Sequence, residues 1–279
     1  MSKSIILTQT PISRAINLGY IAKDKFIPGR LSLGYTRQQH TFLATVESLN
    51  LPEIKKILKK YSQNKISTIT LLREGLACNL GAALSEVGIK EYYGDVFIGV
   101  SHFKKKGEIK AKYFYENVEG LCEGGLWIIA ESICKGRNLE KTLISLLKNH
   151  QPKEIIFICP IASSIGINKI IQLFKNRKIK VTFVAWGALF GVSEKNLYDM
   201  PWGHKDTEPK DSRDQKTFVN IYGELLCVAG DFGNNYYAPY VAEKVYKEQL
   251  LEHKISPKIP SVKEILKTYK KEEFLIWDK

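Results

Sequence analysis

Three short segments carry residues of types and spacing that could do chemistry on a phosphorylated ligand. The first is Arg73-Glu74-Gly75-Leu76, the second Glu131-Ser132-Ile133-Cys134-Lys135-Gly136-Arg137-Asn138, and the third Gly230-Asp231-Phe232-Gly233-Asn234-Asn235. In the second, a glycine stands between two basic residues and a capping Asn at the start of an amphipathic stretch. At a helix N-terminus that combination presents backbone N–H groups and partial positive charge to a phosphate. A plain turn with solvated Lys135 and Arg137 would have the same sequence, so the reading depends on what surrounds it.

The elements that must position these segments are legible as short apolar runs alternating with amphipathic ones from about Ser67 onward. The expected strands are Ser67 to Leu72, Asp95 to Ser101, Leu126 to Ala130, Glu154 to Cys159, Lys180 to Ala185 and Glu224 to Val228. Most are nearly continuous in apolar residues, as strands covered on both faces are. Asn138 to Lys148, Ile167 to Arg177 and Leu51 to Tyr61 place their apolar residues on one helical face. The pattern predicts βαβ units: a mostly parallel, Rossmann-like α/β sheet flanked by helices. Each candidate segment directly follows a strand, where open parallel sheets bind ligands.

Three stretches fall outside the alternation. Residues 1–50 read as an N-terminal arm or hood, and 51–279 as the α/β domain. Within that domain, Ser193 to Phe218 is a non-periodic insertion, and from Tyr237 onward the chain suggests two further short helices. Trp202, His204 and Asp206 in the insertion suit a lid or a second subsite; a surface loop anchored by burial of Trp202 is the plainer reading. His102 is the one histidine elsewhere in a suggestive context, while His40, His150 and His253 lie in polar surroundings and read as solvated.

Composition narrows the partners. Lys and Arg number 42 against 29 Asp and Glu, a formal charge of +13, which calls for an anionic partner: nucleic acid, an acidic surface or a polyphosphorylated small molecule. The five cysteines are scattered without metal-knuckle or redox-dithiol spacing, and Cys159 and Cys227 sit in apolar runs, which predicts buried reduced thiols and no protein-borne metal. No stretch approaches the roughly 18–20 apolar residues of a membrane span, and the N-terminus lacks an export signal, so a cytoplasmic protein is expected.

In their order along the chain the segments resemble uracil phosphoribosyltransferases. Leu71-Leu72-Arg73-Glu74-Gly75-Leu76 is similar to that family's Leu-Arg-Ala-Gly-Leu loop, and Gly230-Asp231-Phe232-Gly233 with Tyr236 to its base-recognition segment Gly-Asp-Phe-Gly-Asp-Arg-Tyr. Gly166 and Ile167 keep the end of its Ala-Pro-Glu-Gly-Ile turn. The resemblance runs from about Ser67 to Tyr237 with one insertion. It implies a phosphoribosyltransferase-type fold, a donor, phosphoribosyl pyrophosphate, bound with Mg²⁺, and a nucleobase acceptor. It further implies homodimers or larger assemblies. By the same resemblance, Arg73, Glu74, Gly75, Lys104 and Lys105 receive the diphosphate, and Lys135, Gly136, Arg137 and Asn138 the 5′-phosphate. Glu131 holds the ribose. Gly230, Asp231, Phe232, Gly233 and Asn234 read the base, with Glu131 and Asp231 as the catalytic carboxylates.

The departures are specific. The family's Thr-Gly in the phosphate loop is Lys135-Gly136, only one acid, Glu131, opens that loop, and the Asp-Arg of the base segment is Asn234-Asn235. Lysine holds phosphate as a point charge where threonine would donate a hydroxyl. A non-catalytic relative binding nucleotide or RNA, and an enzyme of another class on the same fold, are the competing expectations.

Overall fold

The computed structural model describes residues 3–17, 19–22, 25–28, 34–72, 74–105, 108–194, 199–224 and 251. The chain divides into two units, one of Met1–Ile6, Phe42–Pro160 and Ile165–Ala185, the other of Leu7–Thr41, Ile161–Ser164 and Trp186–Lys279.

The first unit is built on a seven-stranded sheet. In chain order its strands are β1 (Lys3–Thr8), β4 (Ile66–Leu72), β5 (Gly94–Lys105), β6 (Glu108–Glu116), β7 (Leu126–Ala130), β8 (Glu154–Cys159) and β10 (Lys180–Trp186). They lie in the spatial order β1-β10-β8-β7-β4-β5-β6. The pairs from β10 through β5 are all parallel, and β5 with β6 is antiparallel. Every residue of β7 and β8 is buried, the burial expected of central strands covered on both faces. The fold is thus the mostly parallel, helix-flanked α/β architecture that the apolar runs predict.

The crossover helices are α4 (Leu80–Glu86), α5 (Arg137–Asn149) and α6 (Ser164–Leu173). Leu139, Thr142, Leu143, Leu146 and Leu147 form the buried face of α5. Phe157 of β8 stacks on Phe183 of β10, with centroids 4.5 Å apart, and meets Phe174 at 6.4 Å, tying both strands to the end of α6. Such ring contacts add to the area they bury. Two helices come directly before β4 in the chain, α2 (Gly34–Asn50) and α3 (Pro52–Leu58); Pro52 starts α3 where its missing N–H costs nothing.

Two expected elements change. The strand expected to end at Ser101 continues to Lys105 and turns back as β6, so 101–105 are hairpin rather than loop. The helix expected from Ile167 begins at Ser164, and Gly166 in its first turn lies against the backbone of Cys134.

In the second unit, α1 (Pro11–Asn17) precedes the hairpin β2 (Gly19–Ala22) with β3 (Lys25–Pro28). β9 (Ala162–Ser163), β11 (Ala188–Phe190) and β12 (Glu208–Pro209) make a three-stranded sheet in the order β12-β11-β9. The end of the segment read as non-periodic is a helix, α7 (Ser212–Tyr222), started by Asp211, whose carboxylate accepts from the Arg213 N–H at 2.9 Å. Phe218 pins it, fully buried at 5.8 Å from Trp202. Trp202 also meets Phe190 edge-on at 4.9 Å. Arg14 reaches Asp214 through both Nε and Nη2, at 2.9 and 2.6 Å. Among the described residues no helix is long and apolar enough to cross a membrane.

Candidate active site

The chain leaves β4 toward β5 on one side and leaves β7 toward β8 on the other, so the boundary between β4 and β7 is the sheet's topological switch point. There the following loops part to opposite faces and open a crevice at the strands' carboxyl ends. Two of the sequence-marked segments follow these two strands.

After β4, residues Glu74–Cys78 form a 3₁₀ turn. Gly75 in that turn is buried, and a Cβ there would stand 2.6 Å from the Ala130 carbonyl oxygen at the end of β7. Only glycine lets the two loops come this close. The chain then passes through Asn79, in the left-handed region at φ 43, into α4.

After β7, Glu131 is half-buried and its N–H donates to the Ile158 carbonyl of β8 at 3.2 Å. Ile133 is buried and anchors the loop. Gly136 takes φ 66, a left-handed conformation that side-chain-bearing residues avoid, and becomes the N-cap of α5 without any side-chain cap. The first helical bond runs from the Glu140 N–H to the Gly136 carbonyl, so the N–H groups of Arg137, Asn138 and Leu139 point out of the helix end. Lys135 is half-buried, Arg137 exposed, and the Asn138 side-chain oxygen is buried without a described partner. Partial positive charge of the thirteen-residue helix gathers at this end.

α6 holds the loop in place. A Cβ on Gly166 would collide with the Cys134 carbonyl oxygen, and one on Gly136 would stand 3.1 Å from the Gly166 carbonyl oxygen. Glycines on three elements therefore fix the cradle: Gly75 against the end of β7, and Gly136 and Gly166 against each other. Sequence reading singles out all three, but the contact between the last two is visible only in the fold.

Behind the cradle, Cys78 and Cys159 are fully buried and unbridged. The Cys159 thiol is pushed well above its usual value, by burial first and then by the nearby Glu131 and Cys78. That coupling brings the ends of β7 and β8 and the turn after β4 to one spot, and leaves Cys159 an inert thiol.

The remaining marked residues are distributed as follows. Lys104 and Lys105 pair with Ile109 and Glu108 at the far end of the β5–β6 hairpin, past Gly99, the last β5 residue that pairs with β4. At about 3.4 Å per residue this is on the order of 17 Å beyond the β4 terminus. In the second unit Trp202 is fully buried, and His204 Nδ1 accepts from the Asp206 N–H at 3.1 Å. His40, expected solvated, is buried at 3% exposure, and its pKa is pushed down to about 4, by burial first and then by Arg37. Arg73, the Glu74 side chain, and Gly230, Asp231, Phe232, Gly233 and Asn234 lie outside the described residues, as does Cys227. Among the described residues no three His, Cys, Asp or Glu side chains gather as metal ligands.

The fold and the cradle define an α/β protein with an uncapped helix N-terminus at its switch point. No family model and no curated protein matches the chain. Solved structures overlap it in part. The AQ2163 protein from Aquifex aeolicus is 16% identical, with a TM-score of 0.46 over 65% of this chain and 88% of that one. Purine phosphoribosyltransferase from Pyrococcus horikoshii is 14% identical, with a TM-score of 0.33 over 53% and 87%. Hypoxanthine-guanine phosphoribosyltransferase from L. donovani is 16% identical, with a TM-score of 0.35 over 44% and 67%. Overlaps this small assign the chain no activity.

Proposed function

We propose that the chain is a phosphoribosyltransferase-type transferase, moving a phosphoribosyl group from phosphoribosyl pyrophosphate to a nucleobase, uracil or a related heterocycle. The observation that carries this reading is the uncapped N-terminus of α5, opened by left-handed Gly136 at the switch point beside Lys135. Such an end supplies several N–H donors to one phosphate without reorganisation. The resemblance of the Arg73–Leu76 and Gly230–Tyr236 segments gives the ligand its second phosphate group and its base.

In this reaction the ribose C1–O bond to diphosphate breaks, the centre passes through an oxocarbenium-like state, and a C1–N bond forms to the base, which releases its N–H proton. Diphosphate arrives carrying Mg²⁺ as part of the substrate. Arg73 and the backbone at Glu74 and Gly75 neutralise the leaving diphosphate, while Lys104 and Lys105 stand too far along the hairpin to touch it. Lys135 through Asn138 hold the 5′-phosphate, and Glu131 the ribose hydroxyls. Asp231 takes the acceptor's proton, and Gly230, Phe232, Gly233 and Asn234 bind its ring edge. Lysine at position 135 adds charge where the family's hydroxyl adds a directed bond, so affinity for the donor should depend on ionic strength.

Calorimetric titration with phosphoribosyl pyrophosphate and Mg²⁺ tests the reading, repeated for Lys135→Ala and Arg73→Ala. Micromolar binding that weakens about ten-fold or more in each variant is expected, since hydrogen bonds to charged groups contribute about 1.5–3 kcal/mol. Absence of binding at millimolar ligand overturns the transferase and favours the non-catalytic nucleotide or RNA binder.

A further inference from the structure

The β5–β6 hairpin collects exposed aromatic rings at one edge of the seven-stranded sheet. Phe97, Phe114 and Tyr115 are 37%, 63% and 49% exposed. The pairing register explains how they come to share a face. Val100 opposes Tyr113, whose hydroxyl donates to the Lys141 carbonyl of α5 at 2.8 Å, so that pair points toward α5. Gly99 opposes Tyr115 and points the other way, and Phe97, two residues earlier, shares its side. Between Tyr113 and Tyr115 the register shifts: Phe114 is the extra residue of a β-bulge. Its ring lies across Gly99, where a Cβ would stand 2.5 Å from it. The bulge thus adds a third ring to the face away from α5.

The same hairpin is basic. Lys112 is exposed and opposes Ser101, Lys110 opposes Phe103, and residues 94–117 carry five lysines against three acids. An edge strand with a bulge and lysines along it resists pairing with another strand. Two copies of a chain with net charge +13 also repel, so a second copy fits this face poorly. An extended polyanion with flat apolar groups fits it well. Unpaired bases stack on aromatic rings whatever their sequence, while lysines draw the phosphates. A duplex keeps its bases stacked inside and cannot use the rings.

We propose that the aromatic face of the β5–β6 hairpin, built on Phe97, Phe114 and Tyr115 and flanked by Lys112, is a stacking platform for single-stranded nucleic acid. It is independent of the transferase reading, since none of these residues belongs to the cradle.

The test is fluorescence anisotropy with a labelled 12-nucleotide RNA of mixed sequence, a DNA strand of the same sequence, and the 12-base-pair RNA duplex. Parent, Phe114→Ala, Phe114→Trp and Lys112→Ala proteins are compared, with sedimentation velocity and thermal melts of each. Expected are binding of single strands in preference to duplex and about ten-fold weaker binding by Phe114→Ala. Phe114→Trp should retain binding, and Lys112→Ala should flatten the salt dependence. RNA and DNA bound alike places recognition in base and phosphate; RNA preferred places part of it in the 2′-hydroxyl. Equal binding of duplex and single strand with no effect of Phe114→Ala, or no binding at about 50 mM salt, overturns the proposal. A dimer that Phe114→Ala converts to monomer also overturns it, since the face would then be covered by a second copy.

Discussion

Two irregular stretches invite comparison, residues 131–137 in the first unit and 199–207 in the second. Both join regular elements, and each carries several polar residues and one glycine. The second consumes its own polar atoms. Thr207 Oγ1 donates to the Pro201 carbonyl and accepts from the Gly191 N–H, Gln215 Nε2 donates to the Trp202 carbonyl, and the Asp206 N–H is taken by His204. Its tryptophan is fully buried against Phe190 and Phe218. The first ends in a left-handed glycine and an uncapped helix. Irregularity alone therefore does not distinguish the two; the backbone donors at the start of α5 do, and they are what the proposed phosphate would use.

The strongest way to break this contrast is to remove the anchor of the second stretch. Trp202→Ala should cost about 3–5 kcal/mol, the loss of a fully buried aromatic side chain and the cavity it leaves. Urea unfolding measures it. Lys135→Ala, half-buried in the cradle, should change stability by less than about 0.5 kcal/mol while losing donor affinity. Comparable destabilisation by both would erase the distinction between a packed stretch and a binding one.

The sequence made the sheet legible because its central strands are buried on both sides and read as unbroken apolar runs: Leu126–Ala130 and Glu154–Cys159 begin and end where expected. The hairpin strand Glu108–Glu116 holds no unbroken apolar run: Ile109, Ala111 and Tyr113 alternate with charged residues, the pattern of a strand with one exposed face, so a reading that follows continuous apolar runs passes over it. The phosphate loop was legible as composition, Lys-Gly-Arg-Asn, but its support was not. That Gly166 approaches Cys134 depends on how α6 packs, a contact between residues 32 positions apart. His40 misled for the same reason: polar neighbours in sequence do not show that helix packing buries it.

His40 gives the next prediction. Its folded pKa, about 4, lies below the ordinary 6.5, so between these values the unfolded chain binds the proton and the folded chain does not. Stability from this group is complete above pH 6.5 and falls as the pH drops toward 4, by up to about 3 kcal/mol. Denaturant unfolding at pH 7, 5.5 and 4 should show the decline, and His40→Gln should remove that part of it. An unchanged slope in the variant would place the acid sensitivity elsewhere.

A smaller loss of stability than those at Trp202 and His40 separates geometry from packing in the cradle. Gly75→Ala adds one methyl group 2.6 Å from the Ala130 carbonyl oxygen, and that oxygen belongs to a central strand that cannot move aside. The 3₁₀ turn after β4 must shift instead, at about 1–2 kcal/mol for a forced overpacking. The turn's displacement widens the gap between the two loops that, in the proposed function, grip one ligand. Donor affinity should therefore fall about ten-fold or more while the melting temperature drops by only a few degrees. If calorimetry instead finds affinity unchanged and stability reduced, the close approach of Gly75 to β7 serves the core, and the diphosphate end of the ligand is held without it.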